Sequence, residues 1–199
     1  MTYQFKIQIK GISKPPVWRK VEVPSSYTFW DFHAVIQVAF GWENAHLFKF
    51  SPNGYRSYPQ IELQTEDGQD DFLGFERGKT LDAESTPLSA IFSKEGQKYT
   101  YIYDFGDSWE HLISLEKIID RNILYPVCIQ GKGACPTEDC GGIWGYQHLK
   151  QALGDPKHPE YKDMAEWMGF EDNEVWNPNE FNLDETKKLM VEVFSKQQK

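Results

Sequence analysis

Apolar and polar side chains alternate at the start of the chain, between Tyr3 and Ile9. A period of two predicts a β-strand with one buried face. The loop over residues 11–16 contains Pro15 and Pro16, which cannot donate backbone hydrogen bonds, and a returning strand is predicted over 17–23. We therefore predict that the chain opens with an antiparallel hairpin.

The next segment changes to helical spacing. Thr28 and Asp31 have the form of a capping box, and apolar residues then recur three or four positions apart until Gly41. This pattern predicts an amphipathic helix that packs on the hairpin. A strand is predicted over His46–Ser51, because Pro52, Asn53 and Gly54 end the apolar run.

The second half of the chain predicts a second hairpin and several helices. Runs rich in β-branched and aromatic residues cover 98–105 and 108–118 and meet at Gly106 and Asp107. A short strand is predicted over 126–130. The predicted helices cover 87–92, with Thr86 as its cap and Pro87 as its first residue, 143–153, 160–168 and a C-terminal segment that begins at Asn182.

These elements predict one α+β domain over residues 1–199. Its sheet is mainly antiparallel, consists of two hairpins plus extra strands, and packs against about four helices. The opening order of strand, strand, helix and strand also suits a β-grasp-like N-terminal half. The region 55–86 lacks clear periodicity and includes Glu66, Asp67, Asp70 and Asp71, so we expect a long acidic excursion with short strands.

Composition and charge narrow the possible partners. The chain has 40% hydrophobic residues and a formal net charge of -9, from 30 acidic residues against 21 Lys and Arg. Its average field repels nucleic acid and anionic lipid, so we do not expect either as a partner. No segment has the apolar length of a membrane span or a signal peptide. We therefore expect a soluble cytoplasmic protein.

Several ionisable residues are concentrated around the bend of the second hairpin. Asp104 and Asp107 flank the bend, and the outgoing strand then presents Trp109, Glu110 and His111. Alternation along a strand places Trp109 and His111 on one face and Glu110 on the other. The carboxylates could tune the imidazole for acid–base work or help to hold a metal ion. Alternatively, the aspartates accept hydrogen bonds from turn amides, while Trp109 and His111 lie in the core.

A glycine-rich loop over residues 131–142 is the second segment in which ionisable residues are concentrated. It contains Glu138 and Asp139 and ends at Gly141 and Gly142, just before a predicted helix. Amides at a helix N-terminus can hold an anion, but a neighbouring carboxylate can cap the helix instead. We expect Glu138 or Asp139 to form this cap. The loop lacks the Gly-Lys-Ser or Gly-Lys-Thr ending of a P-loop.

Three cysteines, an odd number, favour reduced thiols over a disulfide framework. Cys135 and Cys140 are the candidate zinc ligands, but a tetrahedral site needs two more ligands, and a second closely spaced pair is lacking. We therefore predict buried free thiols, no metal site and no cofactor. His46 precedes a predicted strand, and we consider it either a packing residue or part of the rim of a cleft.

Several segments resemble those of a protein family named after the third open reading frame of a root-inducing plasmid. The similar segments are Pro16–Arg19, Gly41–Leu47, Tyr103–His111 and Gly131–Gly142. The family usually has two prolines after the first cysteine of the loop, where this chain has Pro136 and Thr137. Some members are labelled as passenger or resolvase-like proteins, so the resemblance implies an association with mobile elements. It implies no catalytic residues.

Three functions are compatible with these features. In the first, both motifs form an acidic cleft that binds a protein or peptide with basic or aromatic groups, through Asp107, Trp109, His111, Glu138, Asp139 and His46. In the second, a metal-assisted hydrolase uses Asp104, Asp107, Glu110 and His111, with Glu138 or Asp139 across the cleft. The third is a nucleic-acid role linked to mobile elements, which the net charge disfavours. The first two require the motifs to be neighbours in space.

Overall fold

The computed structural model describes residues 1–64, 79–171 and 174–196. Within them, eight strands form one sheet in the order β5-β4-β3-β6-β7-β1-β2-β8. The strands are β1 Thr2–Ile9, β2 Trp18–Pro24, β3 Phe48–Ser51, β4 Gln60–Glu62, β5 Thr80–Asp82, β6 Lys98–Tyr103, β7 Trp109–Ile119 and β8 Val127–Lys132. All neighbouring pairs of these strands are antiparallel except β4 and β5, which are parallel.

Four α-helices accompany the sheet in the described part of the chain. They are α1 Phe29–Phe40, α2 Gly142–Gly154, α3 Tyr161–Trp167 and α4 Leu183–Lys196. The rings of Phe5 on β1 and Phe32 on α1 are 4.8 Å apart, and those of Phe29 and Phe50 are 4.9 Å apart. Aromatic packing therefore holds α1 on the sheet, and the expected α+β fold is confirmed.

Both predicted hairpins are present. Strands β1 and β2 pair with Tyr3 opposite Val23, while β6 and β7 pair with Tyr103 opposite Trp109. The turn between β6 and β7 is wider than the predicted two residues and covers 104–108. Its ends are joined by a 2.7 Å hydrogen bond from the amide of Ser108 to the carbonyl of Asp104. Asp104 consequently lies in the bend rather than in a strand.

The capping box of α1 forms as predicted. The amide of Asp31 donates to Oγ1 of Thr28 at 3.1 Å, and the amide of Thr28 donates to Oδ2 of Asp31 at 2.9 Å. Gly41 ends the helix in the left-handed region, with φ of 81°. The strand expected to begin at His46 begins at Phe48 instead, so His46 lies in the loop between α1 and β3.

Two local predictions are wrong. The expected helix over 87–92 is a single 3-10 turn, Leu88–Ala90, with Pro87 at the N-cap, and the side chain of Thr86 does not cap it. The β-grasp-like N-terminal half is not a separate unit, because β6 and β7 lie between β1 and β3. The first strand therefore pairs with residues from the middle of the chain, which the local pattern did not indicate.

The C-terminal helix begins at Leu183, one residue after its predicted start, and buries part of its apolar surface. Met190 and Phe194 are buried, and α4 lies against β8 and α1, whereas Leu189 remains 42% exposed. In the region 55–86, β4 and β5 are the expected short strands. Glu66, Asp67, Asp70 and Asp71 lie outside the described residues. No helix in the described ranges is both long enough and apolar enough to cross a membrane.

Candidate functional site

The two polar motifs are in direct contact. Oδ2 of Asp107, in the bend between β6 and β7, accepts a 3.0 Å hydrogen bond from the amide of Gly141 in the glycine-rich loop. At Gly142, φ is +66°, and a Cβ would lie only 2.7 Å from the carbonyl oxygen of Asp107. The close approach of the two segments therefore requires glycine at this position, and the two motifs are neighbours in space, as the first two functions require.

This contact corrects the predicted cap of α2. Gly141 occupies the N-cap position with φ of 87°, and neither Glu138 nor Asp139 bonds to the helix N-terminus. Asp107 supplies the carboxylate instead, across the fold. A negative charge at this place is stabilised by the free amides of the first helical turn. Glu138 and Asp139 are consequently available for other contacts.

His46 lies among three carboxylates. Its Nε2 atom is 3.2 Å from Oδ1 of Asp139, 3.7 Å from Oε2 of Glu138 and 3.8 Å from Oδ2 of Asp104. His46, Asp104 and Asp139 offer ligand atoms that all lie within 4.8 Å of one another. We call these four residues the His46 cluster. It joins the α1–β3 loop, the β6–β7 bend and the glycine-rich loop.

The carboxylates of the cluster are held in place by hydrogen bonds. Oε1 of Glu138 accepts from the hydroxyl of Tyr103 and from the amide of Glu43, each at 2.8 Å. Oδ1 of Asp104 accepts from the amide of Gly106 at 2.8 Å, as predicted for a turn aspartate. One oxygen of each residue is therefore fixed by the protein, while the other oxygen points toward His46.

The atoms at the centre of the cluster lack hydrogen-bond partners. Nε2 of His46 and Oε2 of Glu138 are buried from solvent, and neither forms a hydrogen bond with the described residues. A buried polar atom without a partner costs about 1–3 kcal/mol, and more when the group is charged. A group that binds nitrogen and carboxylate oxygen together would satisfy both atoms.

The spacing of the cluster suits a metal ion. Bonds of about 2.0–2.2 Å around a tetrahedral ion place the ligand atoms about 3.3–3.6 Å apart. The three distances from His46 Nε2, 3.2 to 3.8 Å, lie close to this separation. Asp139 is 74% exposed at its side chain and Asp104 only 9%, so the cluster is anchored on one side and open to solvent on the other.

The loop that carries His46 is held by α1. Gln37 accepts through Oε1 from the amide of Asn44 at 2.8 Å, and the ring of His33 contacts Oδ1 of Asn44 at 2.6 Å. Asn44 adopts φ of 56°, which asparagine tolerates better than most residues. These contacts set the position from which His46 reaches the carboxylates.

His111 and Trp109 do not contribute to an open site. Both side chains are fully buried, and the ring of His111 packs against Phe40 and Tyr101. Its Nδ1 atom contacts the carbonyl of Trp109 at 2.9 Å, and burial lowers its pKa to about 4. The structure therefore places both side chains in the core, where neither is open to solvent.

Glu110 lies on the opposite face of β7, as the alternation predicted. Its carboxylate forms a 3.0 Å ion pair with Lys10, so it does not join the His46 cluster. Glu110, Lys10 and Asp107 instead line a cleft of about 600 Å³ beside the N-terminus of α2. Trp144 borders this cleft and is 82% exposed. Of the residues predicted to bind a partner, only Asp107 lines this cleft, and a lysine neutralises part of its acidity.

The three cysteines differ in burial, since Cys128 is buried whereas Cys135 and Cys140 are only partly buried. All three are free, and none belongs to a group of metal-ligating atoms in the described part of the chain. Burial raises the pKa of the Cys135 thiol, and it raises that of Cys140 to about 12. Both thiols therefore stay protonated at neutral pH, which makes them poor nucleophiles and poor metal ligands.

Comparison with known proteins identifies relatives over most of the chain. A model of the plasmid pRiA4b ORF-3-like protein family matches residues 1–185. The uncharacterised protein y4hQ of Sinorhizobium fredii (strain NBRC 101917 / NGR234) is 34% identical over 160 residues, which are 80% of this chain and 77% of that protein. The crystal structure of MM3350, a protein of unknown function from Methanosarcina mazei Go1, is similar with a TM-score of 0.76 and 34% identity, covering 92% of this chain and 96% of that one. The chain thus belongs to the plasmid pRiA4b ORF-3-like family.

Proposed function

We propose that this protein binds a divalent cation, Zn²⁺ or Mn²⁺, at His46, Asp104 and Asp139 and uses it for hydrolysis. The observation that carries the proposal is the buried, unpartnered Nε2 of His46, which faces carboxylate oxygens at 3.2 to 3.8 Å. Imidazole nitrogen together with carboxylate oxygen is a ligand set suited to both ions.

Charge favours a cation over a simple ion pair. Asp104, Glu138 and Asp139 surround one imidazole, and like charges this close repel one another. A protonated His46 would compensate only one of the three carboxylates. Oδ1 of Asp139 lies 3.2 Å from Nε2, but the two atoms do not meet hydrogen-bond geometry. A divalent ion satisfies the neutral imidazole and compensates two carboxylates.

The geometry is that of a catalytic centre rather than a closed structural one. Three protein ligands with an open position are typical of catalytic zinc sites, and the exposed side of Asp139 provides the opening. A Zn²⁺ ion held by these residues would lower the pKa of a water ligand to about 7. Oε2 of Glu138 lies 3.7 Å from His46 Nε2 but outside the group of three ligands, so Glu138 would serve as a proton acceptor rather than as a ligand.

Metal titration tests the binding step. Protein freed of its affinity tag and of adventitious metal is titrated with Zn²⁺ and with Mn²⁺ by calorimetry. We expect one ion per chain, and we expect His46→Ala and Asp139→Asn to weaken binding at least tenfold. His148→Ala is the matched control, because His148 forms a 2.9 Å pair with Glu160 outside the cluster. Binding that survives in His46→Ala would overturn the proposal.

A second assay tests the chemical step. The metal-loaded protein is offered chromogenic phosphate, carboxylic ester and anilide substrates. Glu138→Gln should retain the ion but lose most of the turnover, because an amide cannot accept the proton from the bound water. Equal turnover in Glu138→Gln and in the original protein would assign Glu138 a purely structural role and would contradict the mechanism.

A second function, peptide binding, is supported by a separate feature, the cleft of about 600 Å³ that both motifs line. An indole as exposed as that of Trp144 can provide a large apolar contact surface, and the nearby carboxylate of Asp107 favours basic or aromatic groups. Selection from a displayed peptide library tests this function. Enriched peptides should bind Trp144→Ala at least tenfold more weakly, and peptides with equal affinity for both proteins would exclude the cleft.

A further inference from the structure

A small apolar pocket lies between α2 and α3. Its volume is about 240 Å³, and its walls are largely formed by Leu149, Met164 and Trp167. Leu149 is buried, whereas Trp167 is 50% exposed, so the indole forms a wall that solvent can reach. The pocket can therefore admit a group from outside.

This pocket adjoins the proposed metal centre through one residue. Asp139 borders the pocket, and its Oδ1 atom is also the carboxylate oxygen nearest to Nε2 of His46, at 3.2 Å. The glycine-rich loop is tied to the end of α3, since the hydroxyl of Thr137 donates to Sδ of Met168 at 3.5 Å. Asp139 is therefore shared by the His46 cluster and the lining of the pocket.

We propose that the pocket receives an apolar group, of the size of a phenyl ring or a branched aliphatic side chain, from a substrate that binds the ion through oxygen. A cavity of about 150 Å³ is enough for benzene, so the volume suits such a group with room for its attachment. This inference rests on the proposed function. It adds the substrate class, an acyl or related compound with one bulky apolar substituent.

Two hydroxamates probe this pocket, because both bind a metal ion through the same two oxygens and differ only in their substituent. Acetohydroxamate carries a methyl group and benzohydroxamate a phenyl ring. On the Zn²⁺-loaded full-length protein, we expect benzohydroxamate to bind about tenfold more tightly or better, since burial of a ring contributes this much. The same pair is titrated against aqueous Zn²⁺ to give the preference of the free ion.

Trp167→Ala should abolish most of this preference while leaving the affinity for acetohydroxamate unchanged, which also verifies folding. Met164→Ala provides a second test of the same wall. Val191→Ala is the control, because this exposed apolar residue lies on α4 outside the pocket and should leave both affinities unchanged. A preference equal to that of aqueous Zn²⁺, or one unaffected by both wall variants, overturns the inference while the metal site stands. Failure to bind Zn²⁺ overturns the proposed function and the inference with it.

Discussion

The hydroxyl of Tyr103 donates a 2.8 Å hydrogen bond to Oε1 of Glu138, 35 residues further along the chain. This bond determines which oxygen of the carboxylate faces His46. The amide of Glu43 bonds to the same Oε1, and Oε2 is left 3.7 Å from Nε2 of His46. Burial, and then the bond to Glu138, raise the pKa of Tyr103, so the phenol remains a donor throughout the physiological pH range.

Tyr103→Phe should weaken Zn²⁺ binding about 10–100-fold, because residues that orient a metal site have effects of this size. The variant also loses the acceptor for the amide of Ala45. Its free energy of unfolding should therefore be about 1–3 kcal/mol lower than that of the original protein. Tyr99→Phe is the control on the same face of β6, since Tyr99 bonds only to the carbonyl of Pro59 at 3.2 Å. Calorimetry should find normal Zn²⁺ affinity in Tyr99→Phe, and an equal loss in both variants would contradict the orienting role.

Asp107 links the two motifs through its bond to Gly141, and its removal should loosen that link. We expect Asp107→Ala to lower the free energy of unfolding by about 1 kcal/mol, as for the loss of other helix caps. Asp107→Asn keeps an acceptor oxygen and should cost only a few tenths of a kcal/mol (~0.3). Urea denaturation of the three proteins checks this order, and a larger loss in Asp107→Asn than in Asp107→Ala would argue against capping.

Gly145 allows the glycine-rich loop to pack on α2. A Cβ at this position would lie 1.7 Å from the carbonyl oxygen of Cys140, which is far inside contact distance. Gly145→Ala should therefore displace the loop beside Asp139, lower stability by at least about 2 kcal/mol and weaken Zn²⁺ binding. Gly154→Ala in the same helix is the matched control, because nothing lies within 4 Å of its Cβ position. Thermal unfolding should show little change or a gain of up to about 1 kcal/mol for this control.

The regular elements could be predicted from the sequence because their signals are local. Alternation up to Ile9, the capping box of Thr28 and Asp31, and the apolar runs on both sides of Gly106 each fall within a few residues. The segment at Leu88 was predicted as a helix but forms a 3-10 turn, because its local signal is ambiguous. A proline after threonine fits both a helix start and an N-cap, and the pattern alone does not separate them.

The His46 cluster could be predicted only in part. Asp104, Glu138, Asp139 and His46 are all candidates from the sequence, but His46 belongs to a third segment, and the sequence does not place it against these carboxylates. His111 was a candidate because acidic residues lie close to it in sequence. His111 shares a strand face with the apolar Trp109, which already indicated a core position. In a strand, the face on which a residue lies determines the direction of its side chain, whereas its neighbours in sequence point to the other face.

Two buried histidines should make the protein sensitive to mild acid. Burial lowers the pKa of His33 and of His111 from 6.5 to about 4. For His111, the charge of Lys10 acts in the same direction. Above pH 6.5 both histidines are neutral in the folded and unfolded chains, so they contribute no pH dependence there. As the pH falls from 6.5 toward 4, only the unfolded chain gains protons, and stability decreases.

His111→Leu should remove about half of this loss, because Nε2 of His111 has no hydrogen-bond partner among the described residues and leucine can fill the same apolar space. At about 1.4 kcal/mol per pKa unit, each histidine accounts for about 3 kcal/mol between neutral pH and pH 4. Urea denaturation of the metal-free protein at several pH values between about 7.5 and 4.5 measures the slope. If His111→Leu retained the full slope, the decrease would have to arise from His33 or from carboxylates, and His111 would not be the acid-sensitive group.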